Sequence, residues 1–312
     1  MSYKHYPVLL EEVLEIFDAK PGQNFVDGTL GGGGYSTALL SRVAPSGKVL
    51  SIDLDQAAVE NFQPVSDKYP QSSIVVHGNF KDLDTIIRKH EFIEIQGIVA
   101  DLGLSSYHID ASARGISFQV KEPLDMRFDL STNTPDARFI LNNHSESEIY
   151  KIFDQYGEDK YSRQIARKVV QARVEKPIHY TTDLVEIITE ALPKPVKHLA
   201  NDSCRRIFQA LRIAVNHELE SLEEFLPKAL DLVVPGGRIV IVSFHSLEDR
   251  IVKQFFNEAA RGCVCPVDFP QCVCGQTPKA KILTKKPVLA KESELSENMR
   301  SKPAKLRAIQ KQ

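Results

Sequence analysis

Over the first hundred residues, apolar positions fall in short β-branched runs separated by stretches with a helical period. Leu9 to Phe17 carries acidic residues inside an apolar repeat and predicts an amphipathic helix. Asn24–Val26 starts a strand and runs into Asp27-Gly-Thr-Leu-Gly-Gly-Gly-Gly-Tyr35. Ser36–Val43 then reads as a helix, and Pro45-Ser-Gly47 as a turn. Lys48–Ile52, Ser73–Val76 and Gln96–Ala100 read as three further strands. They end at Asp53, at His77-Gly-Asn-Phe80 and at Asp101. Helices are predicted from Gln56 and over Lys81–His90. Strands alternating with helices predict βαβ units and a parallel sheet covered on both faces.

From about Ile109 to Leu211 the strand signal fades. Ser145–Tyr156, Lys160–Arg173, Thr182–Ala191 and Arg205–Glu224 read as helices, with Thr182-Asp183 and Ser203 as caps. The strand rhythm returns at Pro235-Gly-Gly-Arg-Ile-Val-Ile-Val-Ser-Phe-His245. Near the end, Lys281–Thr284 and Lys305–Ile309 are short strands that predict an edge hairpin. The expected fold class is α/β: one mostly parallel sheet interrupted by a helical insertion. Residues 1–108 and 212–312 would form the sheet domain and residues 109–211 the insertion.

Apolar residues make up 42% of the chain and charged residues 26%, the balance of a globular protein with a core. The N-terminus holds no long uncharged run, which excludes a secretory signal or a membrane span there. Four of the five cysteines lie between 263 and 274, which is not a disulfide framework for a chain of this size and suits a reducing cytoplasm.

Open parallel sheets bind ligands outside the carboxyl ends of their strands. Four polar features fall at such ends here: Asp27 with the glycines, Asp53, Asn79-Phe80 and Asp101. Four consecutive glycines, Gly31–Gly34, allow positive φ angles and close approach of a ligand to the backbone. Asp53 follows Gly33 by the spacing at which an acid at the end of the second strand meets a ribose hydroxyl. The alternative for each alone is a tight turn, a solvated acid or a core phenylalanine. An acid before the glycines would repel a pyrophosphate, whereas it would attract the ammonium and sulfonium groups of S-adenosylmethionine. The electrostatics therefore favour that cationic cofactor over an anionic dinucleotide.

Long motifs cover the chain from end to end. They are His5-Tyr-Pro-Val-Leu-Leu10, Asp27-Gly-Thr-Leu-Gly-Gly-Gly-Gly34, Ser51-Ile-Asp-Leu-Asp55, Asp101-Leu-Gly-Leu-Ser-Ser106, Arg114-Gly-Ile-Ser-Phe118, Pro123-Leu-Asp-Met-Arg127, Tyr156-Gly-Glu158, Phe208-Gln-Ala-Leu-Arg-Ile213, Val215-Asn216 and Ser243-Phe-His-Ser-Leu-Glu-Asp-Arg250. In these the chain resembles the bacterial 16S ribosomal RNA cytidine-N4 methyltransferase family. The resemblance implies a class I methyltransferase fold (Rossmann-like) with a helical insertion. It also implies S-adenosylmethionine as cofactor and methylation of cytidine 1402, in customary numbering, of 16S rRNA in the small ribosomal subunit. By motif position its cofactor contacts fall on Gly33, Gly34, Tyr35, Asp53, Phe80, Asp101 and His108. Tyr35 stands where the family commonly has His, and Tyr107-His108 where it has Pro-Gln.

Acceptors near the cytosine amine would help it attack and then lose a proton. Asp101, with Ser105 and Ser106 beyond the fourth strand, is placed for this. The alternative is that Asp101 only holds the cofactor and the serines cap a helix. His245 and Phe244 are candidates for lining the base pocket, against a loop held by ion pairs of Glu248 and Arg250. Catalytic candidates are thus Asp101, Ser105 and His245.

A base in structured RNA must be flipped out to be methylated, and basic side chains must hold the backbone. Lys160, Arg163, Arg167, Lys168 and Arg173 recur at helical spacing, and Arg205, Arg206 and Arg212 form a second group. The whole chain carries −2, yet Lys279–Gln312 has ten Lys/Arg against three Glu, so the tail is +7 and the rest −9. That asymmetry points to an RNA-facing side, or to a solvated basic tail. A homodimer is left open.

Cys263, Cys265, Cys272 and Cys274 form C-x-C-x6-C-x-C. Four thiolates can bind zinc, but the one-residue gaps are tighter than usual, so reduced loop thiols are the competing reading and no metal is assigned. Two other functions compete with the methyltransferase: a nucleotide-dependent oxidoreductase on a Rossmann-like fold, and a non-catalytic RNA-binding assembly factor.

Overall fold

The computed structural model describes residues 7–104, 113–263, 265 and 274–312. It divides into two compact units, one formed by residues 1–103 with 219–312 and the other by residues 104–218.

The first unit is built on a seven-stranded sheet. β1 (Asn24–Asp27), β2 (Val49–Asp53), β3 (Ser73–His77), β4 (Ile95–Asp101) and β5 (Val233–Ser243) run parallel. β7 (Lys305–Lys311) is antiparallel to β5, and β6 (Ala280–Ile282) is antiparallel to β7. The order is β3-β2-β1-β4-β5-β7-β6. The expected terminal hairpin therefore forms, but β7 lies between β5 and β6, so only β6 is at the edge.

Alternation along the strands explains how both faces are covered. Val26, Leu50, Ile98 and Ile241 enter one apolar cluster, while their neighbours Phe25, Val49, Val99 and Val240 enter another. Successive strand side chains point to opposite faces, so these clusters are the two sides of the sheet. α1 (Leu10–Phe17) and α2 (Gly34–Val43) cover the Phe25 side. α4 (Leu83–Lys89), α10 (Glu218–Leu232) and α11 (Ser246–Ala259) cover the other. α3 (Gln56–Ser66) follows β2, capped by the Asp55 carboxylate, which accepts the Ala57 N–H.

The second unit is helical: α5 (Ala137–Asn143), α6 (Glu146–Gly157), α7 (Ser162–Glu175), α8 (Thr181–Ala191) and α9 (Ala200–Asn216) enclose their own core around Phe153, Ile165, Ile188 and Leu211. Ser145 and Glu148 close a reciprocal capping box on α6. The predicted single helix Arg205–Glu224 is instead two. His217 adopts φ 50° and its N–H donates to Ile213 O, which ends α9 before Glu218 starts α10.

Several shared motifs turn out to hold this unit together. A Cβ on Gly115, whose φ is +71°, would sit 2.3 Å from Pro123 O. Asp125 pairs with Arg127 at 2.7 Å, and Asn216 accepts the Phe128 N–H and donates to Met126 O, both at 2.8 Å. Among the described residues no helix is long and apolar enough to cross a membrane.

Candidate cofactor site

Parallel register brings the carboxyl ends of β1, β2 and β4 side by side. Asp27 is opposite Ser51 on one side and Val99 on the other, and Asp53 is opposite His77. The loop after β1 stays tied to both neighbours, because Gly28 N–H donates to Val99 O and Leu30 N–H to Ile52 O, each at 2.8 Å. Gly31 N–H donates to Asp53 Oδ2 at 2.6 Å, and Asp55 N–H donates to Asp53 Oδ1 at 2.8 Å. Asp53 thereby fixes the glycine loop.

Asp27 lies beneath that loop and is fully buried. Ser36 Oγ donates to its Oδ2 at 2.6 Å and Thr29 N–H to its Oδ1 at 3.2 Å. Burial pushes its pKa up to about 7, against the pull of those hydrogen bonds and helped by the negative charge of Asp53. Direct contact between Asp27 and a cofactor, the expectation from sequence, does not fit this position. Asp27 acts through the loop, as a charge under it and as its tether.

Asp101 ends β4, and its N–H donates to Thr29 Oγ1 at 2.6 Å. Its Oδ1 is buried and has no hydrogen-bond partner among the described residues. Burial and then the neighbouring charges of Asp27, Glu248 and Glu294 push its pKa well above the carboxylate range. A buried acceptor without a donor costs free energy. No ion pair to Asp27 or Asp101 occurs among the described residues, so two buried carboxyls at neighbouring strand ends have no cationic partner there. A cation or an N–H donor placed beside Asp101 would favour its ionised form.

The glycines are required chiefly by packing. A Cβ on Gly33, whose φ is +75°, would lie 2.2 Å from the Phe62 ring, and one on Gly34 would lie 2.5 Å from Pro7 Cγ. Gly33 is the N-cap of α2, and no side chain caps that helix. Its first-turn amides and dipole suit an anionic group such as a carboxylate. Tyr35 is buried and its hydroxyl donates to Val8 O, so the side chain belongs to the core and only its backbone is available to a ligand. Phe80 begins a short 3-10 turn after β3 and packs edge-on against Phe225 at 5.0 Å. Ser105, Ser106 and His108 lie outside the described residues.

His245 sits at the end of β5, on the expected rim, but its ring is turned into the start of α11. Nδ1 accepts the Glu248 N–H at 3.3 Å, and Nε2 lies 3.1 Å from Glu248 Oε1, off the line of a hydrogen bond. Glu248 in return accepts the N–H groups of Phe244 and His245 at 2.8 and 3.2 Å. The segment, for which a loop held by ion pairs is the alternative reading from sequence, is a capped helix start. The signal for it, an acid three residues after a side chain that accepts hydrogen bonds, is present in the sequence.

The basic groups divide sharply. Arg173 Nη1 donates to the carbonyls of Leu141 and His144 at 2.8 and 2.7 Å, and Arg206 Nη1 to Glu158 O at 3.1 Å. Arg212 forms a two-pronged pair with Glu218 at 2.8 and 2.9 Å. Lys168 pairs with Glu190 at 2.8 Å and Arg205 with Asp202 at 3.7 Å. Arg163 lies over the Tyr150 ring at 4.7 Å, and Arg167 is 3.9 Å from Glu146; both are exposed, as is Lys160. Part of the basic tail is structural too. Arg307 and Lys305 pair with Asp249 at 2.6 and 3.3 Å, and Lys311 Nζ donates to the carbonyls of Asp231 and Val233. Burial alone would raise Asp249, but those cations hold its pKa below the usual value.

The sequence also matches known proteins over its whole length. The model of the MraW methylase family matches residues 2–312. A protein named ribosomal RNA small subunit methyltransferase H from Heliobacterium mobile is 44% identical over 312 residues, covering 100% of both chains. Its namesake from Pelobacter propionicus is 44% identical, with 99% of each chain covered. Another from Thermomicrobium roseum is 43% identical, covering 100% of this chain and 94% of that one. With the seven-stranded sheet and its acidic strand ends, this match over the full length places the chain in the MraW methylase family.

Proposed function

We propose that this chain methylates the exocyclic N4 of a cytidine in small-subunit ribosomal RNA, cytidine 1402 in customary numbering, using S-adenosylmethionine. The observation that carries the chemistry is the buried Asp101 Oδ1 at the end of β4, which has no hydrogen-bond partner among the described residues and lies near the Asp27 carboxyl. When bound there, the cofactor supplies an electrophilic methyl group on a cationic sulfur. Asp53 accepts ribose hydroxyls while holding the glycine loop. The backbone of Gly33, Gly34 and Tyr35, at the start of α2, takes the carboxylate end, and Phe80 packs on the adenine.

A cytosine amine is a weak nucleophile because its lone pair is delocalised into the ring. Asp101, in its ionised form, would accept a hydrogen bond from that amine and take its proton as the N–C bond forms and the methyl–sulfur bond breaks. A carboxylate whose pKa is raised by burial is a stronger base than a solvated one. His245 positions the start of α11 rather than moving a proton. The helical unit offers Lys160, Arg163 and Arg167 to RNA phosphates. A ribosomal substrate supports a cytoplasmic location.

The test is transfer of a labelled methyl group to small subunits from cells lacking this protein, with the modified nucleoside mapped by mass spectrometry. N4-methylcytidine at a single position is expected. Binding of S-adenosylmethionine without any methyl transfer to subunits or their RNA would leave a non-catalytic assembly factor. Binding of NAD in place of S-adenosylhomocysteine, measured by calorimetry, would make the chain an oxidoreductase.

A further inference from the structure

The methyl-transfer reading leaves the cysteine cluster unused. Cys263, Cys265 and Cys274 belong to the connection between α11 and β6, residues 260–279, far along the chain from Asp27, Asp53 and Asp101. From this cluster we infer that the connection is a zinc-binding loop, with the ion held by the thiolates of Cys263, Cys265 and Cys274.

The sulfur geometry suits one tetrahedral ion. A Zn–S distance of about 2.3 Å sets the edge of a sulfur tetrahedron at about 3.8 Å. Cys274 Sγ lies 3.7 Å from Cys263 Sγ, and the three sulfurs are all within 4.8 Å of one another. An iron–sulfur cluster would hold its thiolates further apart, because several irons and sulfides lie between them. Soft thiolate donors select zinc over hard cations such as magnesium or calcium.

The backbone supports charge on these sulfurs. Cys265 N–H donates to Cys263 Sγ at 3.4 Å, which stabilises a thiolate and leaves the sulfur able to bind metal. Gly275, directly after Cys274, has φ +62°, and a Cβ there would meet nothing within 4 Å. Glycine is thus demanded by the turn itself, which bends the chain immediately after the third ligand. Cys204, by contrast, is a core thiol whose burial pushes its pKa up to about 11.

The loop also needs such a staple. Among its described residues it has no helix or strand before Ala280. Its base is closed by the Lys279 N–H donating to Ala259 O at 2.8 Å and by Pro278 against Gly262. Above that base the described residues contribute no side chain to the apolar clusters of the unit. The described part of the connection thus has neither regular structure nor core of its own, and a metal cross-link would order it. Gly275, Gln276 and Thr277 form one wall of a groove of about 930 Å³ against α10 and α11, so the ion would also fix that wall.

The experiment uses the full chain purified under reducing conditions, without metal resin or chelator. Elemental analysis should find about one zinc per chain. Stripping and reloading with cobalt(II) should give the intense visible bands of tetrahedral thiolate coordination. The variant Cys263→Ser/Cys274→Ser should lose the zinc and the cobalt bands. Its binding of S-adenosylhomocysteine, measured by calorimetry, should be unchanged, which shows that the sheet unit still folds. Trypsin should cut after Arg261 at least tenfold faster once zinc is removed. Zinc-free wild-type protein that takes up no cobalt overturns the proposal. So does zinc that persists in the double variant, copper or iron in its place, or a disulfide in anaerobically purified protein.

Discussion

Replacing Asp27 by asparagine isolates the cost of the buried negative charge. The shape is kept: asparagine Oδ1 can accept the Thr29 N–H, and its Nδ2 can donate to Ser36 Oγ, which then turns its own hydroxyl to Ser51 Oγ at 2.7 Å. The pKa of Asp27 is about 7 in the fold and 3.8 in a solvated reference. Because the folded value is the higher one, the unfolded chain releases its proton first. Wild-type stability therefore falls as pH rises from about 4 to 7 and is flat above. At about 1.4 kcal/mol per pKa unit, the full cost is about 4 kcal/mol at pH 8, of which roughly 1.5–2 kcal/mol is already present at pH 5. Asp27→Asn should thus gain about 2.5 kcal/mol on wild type between pH 5 and pH 8, an increase of roughly 5–10 °C in the difference of melting temperatures. Circular-dichroism melts of both proteins without cofactor, at pH 5, 6, 7 and 8, give this directly. A difference that stays constant with pH refutes the buried-charge argument. A difference that reverses, with wild type favoured at high pH, shows that Asp27 is stabilised as the anion.

Other outcomes follow from the same geometry. The affinity of S-adenosylmethionine should rise from pH 5.5 to pH 8 several-fold more than that of neutral-sulfur S-adenosylhomocysteine, because only the first adds a cation at sulfur beside Asp101 and Asp27; parallel calorimetric titrations with equal slopes would contradict this. Asp101→Asn should lower the methyl-transfer rate by about 10²–10³ while S-adenosylhomocysteine still binds, and single-turnover kinetics at wild-type rate would remove Asp101 from the proton path. Gly34→Ala should destabilise by about 1–3 kcal/mol through its clash with Pro7, and Pro7→Ala should restore much of that in the double variant; urea melts check the pair. Arg163→Glu/Arg167→Glu should weaken binding to the small subunit at least tenfold, with cofactor affinity unchanged, as filter binding and calorimetry would read.

Period and β-branching made the parallel strands legible, because the central ones are buried on both faces and their runs are almost wholly apolar. The strand-end acids could be found for the same reason: each follows the last apolar residue of its strand. What the pattern conceals is direction and competition. Asp27 reads as a ligand in the sequence, whereas its side chain points under the loop to Ser36. The glycine run reads as room for a ligand, whereas Phe62 and Pro7 occupy the space a Cβ would need. His217 interrupts a smooth helical period with a left-handed residue, which no apolar spacing signals. Clusters of arginine read as an RNA surface, yet Arg173, Arg206 and Arg212 are spent on carbonyls and a carboxylate of their own unit. Spacing shows where a cation sits on a helix, and only the fold shows what it already holds.

The position of β7 has a consequence for synthesis. Residues 305–311 pair with β5 on one side and β6 on the other. A ribosome releases these residues later than every strand they join. Until they emerge, one full edge of β5 stays open, a row of unpaired amides and carbonyls able to capture a strand from another nascent chain. Completion of the sheet thus waits for the last-made of its strands. Fusions or truncations that delay or remove residues 305–311 should be recovered as aggregates more readily than equal changes at the amino end.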